Sequence, residues 1–259
     1  MPNNNQSGEL LTFGGHLEVL RQMLFRIIAV VAVFAAIVFC FKEQTWNLLL
    51  APSEWNFVTY RILEDIMQWV GIGFKFEEFH VELIATELSS QFMTHLSTAV
   101  YLGLLAASPY IRYELFRFIS PALYENEQKY SVRVTGIIYG MFILGVLMSY
   151  FVLFPISFRF LGTYSVAEKV HSTITLDSYI STFVSLTLVM GLVFQLPIIA
   201  FFLGKMGIIT SQMLSTYRKH AFVIIMIIAA IITPPDVMTL ILVTIPLYML
   251  YEVSIRVIK

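Results

Sequence analysis

The chain has 259 residues, of which 58% are hydrophobic and only 13% charged, and its mean hydropathy is +0.79. A soluble domain carries roughly a quarter charged residues, so this composition excludes one and reads as an integral membrane protein. The net charge of -1 conceals an asymmetry along the sequence, and the single cysteine, Cys40, lies in an apolar run, which excludes an intramolecular disulfide framework and a cysteine-based zinc site.

The polar start, Met1 to Glu9, has no basic n-region and reads as uncleaved, with the first span serving as its own targeting signal. A spanning helix needs about 20 mostly apolar residues to cross a hydrocarbon core about 30 Å thick. Six runs qualify as candidates, at about 23–41, 92–111, 134–158, 178–204, 221–233 and 237–251. Arg26 is close enough to the start of the first to snorkel. The longest connection, 42–91, shows helical periodicity at Ile62, Leu63, Ile66, Met67 and Val70 and holds all three tryptophans, Trp46, Trp55 and Trp69, as expected of interfacial anchors. Long loops with structure of their own often cap something.

Gly136, Gly140 and Gly145 in the third run predict close helix approach. Pro109, Pro155, Pro197 and Pro246 remove backbone donors inside the runs and predict bent helices around a concave face. The last two runs hold 13 and 15 residues, about 20 and 22 Å of helix, and only Pro234, Pro235 and Asp236 separate them. Proline stops the fifth helix and Asp236 can cap the sixth. Two such short helices predict a bilayer thinned beside them. The sequence shows no internal repeat, and the expectation is one all-α membrane domain over residues 1–259 with six transmembrane helices.

An even number of spans places both termini on one side, and basic residues choose the side. Arg21, Arg26, Arg112, Arg117, Lys129, Arg133, Lys205, Arg218, Lys219, Arg256 and Lys259 fall with the termini, eleven of the sixteen, which predicts cytoplasmic termini. Acids such as Glu43, Glu54, Glu64, Asp65, Glu82 and Asp177 fall opposite.

Enzyme signatures are missing: there is no His-Glu-x-x-His, no Gly-x-Ser-x-Gly and no pair of intramembrane aspartates for acid and base roles. Phosphate-binding loops are absent as well, so any energy source is external to the chain. His16, His80, His95, His171 and His220 are scattered over both sides, which argues against a metal site. Only His95 and Gln195 are clearly polar at mid-membrane depth, and His95 reads as a helix-to-helix hydrogen bonder. The acids on the cytoplasmic side, Glu18, Glu125 and Glu127, sit among apolar residues and suit guanidinium ligands, because arginine offers a planar fork that a carboxylate matches at two points. The competing reading pairs them locally, Glu18 with Arg21 and Glu127 with Lys129 or Arg133. A transporter or channel for a small solute is the other class these residues leave open, and it would place its polar site at the midplane between broken helices.

Several segments carry a family resemblance over nearly the whole chain. They are His16-Leu17-x-x-Leu20-Arg21, Ser108-Pro109-x-x-x-Tyr113-Glu114, and Phe118-Ile119-Ser120-Pro121-Ala122-Leu123-Tyr124 followed by Glu127. Further on come Tyr150-Phe151-x-x-Phe154-Pro155, Phe194-Gln195-Leu196-Pro197, Thr233-Pro234-Pro235-Asp236 and Ile245-Pro246-Leu247-x-x-Leu250-Tyr251-Glu252. In order and placement they resemble TatC, the multispanning receptor subunit of the twin-arginine protein translocase. The resemblance implies a glove-shaped six-helix bundle in the bacterial inner membrane. It implies recognition of twin-arginine signal peptides of folded proteins at the cytoplasmic face, with Glu127 as the main acid, Phe118, Pro121 and Leu123 shaping its loop, and Glu18, Val19 and Arg21 contributing from the N-terminal motif. It also implies single-span partners TatA and TatB near Thr233, Pro234, Pro235, Asp236 and Leu240, several copies in one complex, contact with lipid, and drive by the proton-motive force. No cofactor and no nucleic acid are expected. Three positions depart from the family pattern: Val19 stands where an acid commonly precedes Leu20, Gln195 where many members carry glutamate, and Leu240 where glutamine often follows Thr-Pro-Pro-Asp. Adjacent helix residues point about 100° apart, so Glu18 does not automatically replace an acid at position 19.

Overall fold

From His16 onward the first run contains neither glycine nor proline, and it forms one unbroken helix, α1 (Phe13–Cys40), in the computed structural model, which describes residues 13–71, 78–119, 131–165, 167 and 173–258. Two helices follow in the outer connection, α2 (Lys42–Leu50) and α3 (Val58–Trp69), the second carrying the periodic residues Ile62, Leu63, Ile66 and Met67. A two-residue strand, β1 (Leu83–Ile84), precedes the long helix α4 (Ser90–Ile119). α4 lies antiparallel to α1: Phe92 and His95 meet Phe39, Gly103 meets Ala35, and Glu114 meets Arg26. At Gly103 a β-carbon would stand 2.7 Å from the backbone nitrogen of Ala35, so this crossing brings the two backbones into contact.

The third run continues past residue 158 and changes helical type within it: α5 (Ser131–Met148), a π-helical turn (Ser149–Leu153), then α6 (Phe154–Thr163). Pro155 explains part of this, since it has no N–H to offer the Phe151 carbonyl one turn back. The hydroxyl of Thr59 on α3 donates to that carbonyl instead. Other bonds dock the outer connection on the same region. Tyr60 donates to the Pro155 carbonyl at 2.8 Å, Tyr150 to that of Leu48 at 2.7 Å and Tyr179 to that of Leu49 at 2.8 Å. Leu48 and Leu49 belong to the last turn of α2, whose carbonyls have no partner within their own helix. Burial raises the Tyr60 pKa above the ordinary tyrosine value, which keeps its hydroxyl a donor. The described part of the connection therefore caps the end of the bundle where α1 ends and α4 begins.

The fourth run begins beside β2 (Ile174–Thr175) and is split into α7 (Leu176–Val193) and α8 (Leu196–Lys205), interrupted at Phe194 and Gln195 with Pro197 in the first turn of α8. β2 pairs in parallel with β1, Leu83 against Ile174, so the fold is not strictly all-α. This two-residue ladder ties the connection before α4 to the one before α7. A short helix, α9 (Ser211–Thr216), leads to α10 (Arg218–Ile232) and α11 (Val237–Val257).

The core lies where α6, α7 and α11 meet, with Leu153, Phe154, Leu186, Met190 and Val243 at 1% exposure or less. Phe154 and Phe158 both set their rings edge-on to Tyr179 at 5.0 Å, an arrangement favoured by the ring quadrupoles. Of the three glycines in α5, only Gly145 makes a close crossing, since a β-carbon there would stand 2.5 Å from the Met190 carbonyl oxygen. A β-carbon at Gly136 or Gly140 would meet nothing within 4 Å among the described residues, so neither makes the close approach expected of it there.

Among the described residues, four stretches are long and apolar enough to cross a membrane: Leu17–Cys40, Gly136–Thr163, Leu176–Lys205 and Val237–Val257. The last corrects the expectation of two short helices. α11 has 21 residues, about 31 Å, because it runs through Glu252 to Val257 instead of stopping at 251. A charge ends a span in a hydropathy reading, but Glu252 is paired with Arg218 and does not end the helix. α10 is short as expected, at 15 residues.

Candidate functional site

Glu18, Gln22, Phe25 and Arg26 recur at helical spacing on α1 and, with Arg21, line a cavity of about 360 Å³. Glu18 accepts from Arg21 Nη2 at 2.8 Å and from Gln22 Nε2 at 3.2 Å, so the local pairing read from the sequence is present. All three side chains are exposed. Val19 is 38% exposed and is not among the residues that line the cavity.

The antiparallel fit of α1 on α4 adds an acid that the sequence reading did not place in the site. Glu114 is only 3% exposed, accepts from the Tyr110 hydroxyl at 2.9 Å, and has its second oxygen 3.5 Å from Arg26 Nη2. Arg26 thus pairs across to α4 while remaining partly open to solvent. Phe118 follows Glu114 by one helical turn and is half-buried. Glu114 stood in one of the family-like motifs, but nothing in one sequence says which residue of another helix will face it. Glu127, Pro121 and Leu123 lie outside the described residues.

The two polar residues at membrane depth are held apart. His95 does not hydrogen-bond between helices: its ring stacks on Phe39 at 4.3 Å and 11°, and its buried Nε2 has no partner. The aromatic rings beside it are Phe39 from α1 and Trp46 from α2, so the α1–α4 crossing offers it an apolar neighbour and no acceptor. Gln195 sits in the break between α7 and α8, where Nε2 donates back to the Gly191 carbonyl at 3.3 Å and Oε1 is buried without a partner. These two do not converge on a midplane site.

At the opposite end of α10, Thr233 is buried and donates to the Ala229 carbonyl at 2.9 Å. Asp236 Oδ1 accepts from the Thr239 N–H at 2.6 Å and caps α11, as the sequence indicated. Leu240 packs partly buried against the core, and Pro235 is exposed while Pro234 is half-buried. The conformation of this segment is that of a closed hairpin between α10 and α11. Among the described residues no cluster of histidine, cysteine and acids could hold a metal ion.

The family model of the Sec-independent protein translocase protein (TatC) matches residues 15–246. The Sec-independent protein translocase protein TatC of Blattabacterium sp. subsp. Periplaneta americana (strain BPLAN) is 34% identical over 97% of this chain and 96% of its own length. Two crystal structures of the twin-arginine translocase receptor TatC, one of them in DDM, are each 31% identical and cover 94% of this chain, with TM-scores of 0.73 and 0.75 over 98% and 99% of their own lengths. With the family model, the related sequences and the overall fold in agreement, the chain belongs to the TatC family of Sec-independent protein translocase proteins.

Proposed function

We propose that this chain is the receptor of a twin-arginine translocase. It binds the Arg-Arg signal peptide of folded cargo at the end of the bundle that carries Glu18 and Phe118, with Glu127 as the main acid of that recognition. It organises the single-span subunits TatA and TatB, in several copies, along α10 and the segment Thr233 to Leu240. In this reading six helices cross the bacterial inner membrane around a concave face, the four long apolar stretches together with α4 and α10. Both termini are cytoplasmic, and transport is driven by the proton-motive force. A TatC protein is a translocase component and not a member of a catalytic enzyme family.

One observation carries the reading: the antiparallel pairing of α1 and α4 gathers Glu18, Arg21, Arg26, Glu114 and Phe118 at one end of the molecule. A receptor needs acids at a rim, where guanidinium groups arrive from water, whereas a solute transporter needs them at the midplane. The basic residues concentrated at this end support its assignment to the cytoplasm.

The test is co-purification of the full-length chain with a twin-arginine signal peptide and with the same peptide bearing Lys-Lys. Retention of the Arg-Arg peptide alone is expected, and Glu127→Ala should abolish that retention and the export of folded cargo while the protein still accumulates. A charge-assisted hydrogen bond is worth roughly 1.5 to 3 kcal/mol, so the loss in affinity is about ten- to a hundred-fold. Equal retention of both peptides by the wild type would overturn the receptor reading.

A further inference from the structure

We infer that Glu114 is a further guanidinium-binding carboxylate of this site, and that Arg26 fills it as an internal stand-in until an arginine of a signal peptide displaces it. This rests on the receptor reading above and says how the site is kept and opened.

The first ground is how little holds Glu114. A carboxylate taken out of water is costly unless its oxygens find donors. Glu114 is 3% exposed and has one well-formed bond, from the Tyr110 hydroxyl at 2.9 Å. Its other contact, Arg26 Nη2 at 3.5 Å, is longer than the roughly 2.7–2.9 Å of a charge-assisted bond and engages one arm of the guanidinium fork. An ionised carboxylate offers about four acceptor positions, so about half of this one's capacity is unspent.

The second ground is position. Arg26 belongs both to the pair with Glu114 and to the wall of the cavity shared with Glu18, Arg21, Gln22 and Phe25. Glu18 lies eight residues nearer the N-terminus, about 12 Å along the α1 axis, at the outer part of that wall. A cation passing Glu18 along this wall meets Arg21 and Gln22 and then Arg26, which is paired with Glu114 on α4. Phe118, one turn beyond Glu114 on the same helix, supplies an apolar ring at the same rim.

The third ground is charge balance. Exchange of one guanidinium for another leaves the buried carboxylate paired throughout, while Arg26, whose side chain is 45% exposed, has solvent to turn to. A lysine of the same charge brings no planar fork and cannot fill two acceptor positions at once. An internal competitor therefore raises the threshold for any cationic segment and is overcome by arginine better than by lysine.

The experiment uses the full-length chain in lipid nanodiscs, with affinities for the Arg-Arg and Lys-Lys forms of one signal peptide and with thermal unfolding with and without peptide. Arg26→Gln removes the competitor and should tighten the Arg-Arg peptide by about tenfold, the worth of one charge-assisted bond, with little change for Lys-Lys. The Arg-Arg peptide should also raise the unfolding temperature of Arg26→Gln by more than it raises that of the wild type, since it supplies the missing partner. Glu114→Gln should weaken the Arg-Arg peptide by about tenfold. Failure of the wild type to separate the two peptides would overturn the receptor reading itself. If the wild type does separate them, unchanged or weaker Arg-Arg binding by Arg26→Gln makes the pair a structural tie between α1 and α4 and overturns this inference. An equal gain for both peptides would do the same, since it reports only the removal of a positive charge. Should Glu114→Gln not fold, the two Arg26→Gln readouts decide alone.

Discussion

Arg218 and Glu252 meet at two points, Arg218 Nε donating to Oε1 at 2.7 Å and Nη2 to Oε2 at 3.2 Å. This fork ties the first turn of α10 to the second-last turn of α11, and the Tyr248 hydroxyl adds a third donor to Oε1 at 3.3 Å. Both side chains are partly exposed, which limits the stability gained, but a bidentate pair fixes orientation as well. Glu252→Ala should lower the unfolding temperature in detergent slightly, and Arg218→Lys, which keeps the charge but loses the fork, should lower it less. Unchanged midpoints for both would mean that the fork does not hold the hairpin.

The three glycines of α5 should separate cleanly. Gly145→Ala forces a β-carbon against the Met190 carbonyl, where backbone has to move, and overpacking of this kind costs about 1–3 kcal/mol. Gly136→Ala and Gly140→Ala meet open space and gain helix propensity of up to about 1 kcal/mol. Protease resistance in detergent, compared across the three variants, checks the order.

Asp236→Ala removes the acceptor for the Thr239 N–H at the start of α11, a loss of about 1 kcal/mol. Asp236→Asn retains a capping oxygen and should lose less. If partner recruitment falls in the alanine variant alone, the segment acts through its conformation; if both variants fail equally with stability intact, the charge itself is read by the partner.

The helical runs were legible because lipid leaves no solvent for unpaired backbone, so length and apolarity together mark them. Each of the six runs read from the sequence is overlapped by helix. Where reading and structure part, the missing knowledge concerns neighbours. The end of α11 was misplaced because the partner that neutralises Glu252 arrives from another helix. The interruption at Phe194 and Gln195 was hidden inside an apolar run, though Pro197 marked its vicinity. Likewise, the stacking of His95 depends on Phe39, and the pairing of Glu114 on Arg26, both set by the crossing of α1 on α4. The local pair Glu18 with Arg21 could be read directly, since helical spacing alone brings those two together.

Glu18 already spends its Oε1 on Arg21 and Gln22, while Val19 is an exposed apolar residue at the family's acidic position. Glu18→Ala should therefore change affinity for a twin-arginine peptide little, whereas Val19→Glu should tighten it. Titration of both variants with labelled peptide checks this. A large loss with Glu18→Ala would show that Glu18 has taken over the role of the acid at position 19.

The last prediction follows from helix length. α10 has 15 residues, about 22 Å, against a hydrocarbon core of roughly 30 Å, and it starts at Arg218, Lys219 and His220, which resist being drawn into lipid. Its apolar side chains Val223, Ile224, Ile227 and Ile231 are all more than half exposed, so in the proposed six-span arrangement the short helix presents its side to the acyl chains. α11, at about 31 Å, needs no adjustment. The thinning read from the sequence beside two helices should therefore be confined to the face of α10, and tilt cannot relieve it because tilting shortens the reach of a helix further. A thinned patch lowers the barrier to a passing chain, which suits a translocase. A lipid-depth spin label at Ile231 should report a position near the headgroups, while a label at Ile241 on α11 reports the depth of an unperturbed bilayer. Longer acyl chains should destabilise the protein, and shorter ones should spare it. An Ile231 label deep in hydrocarbon, with stability indifferent to chain length, would show that the bilayer beside α10 keeps its full thickness.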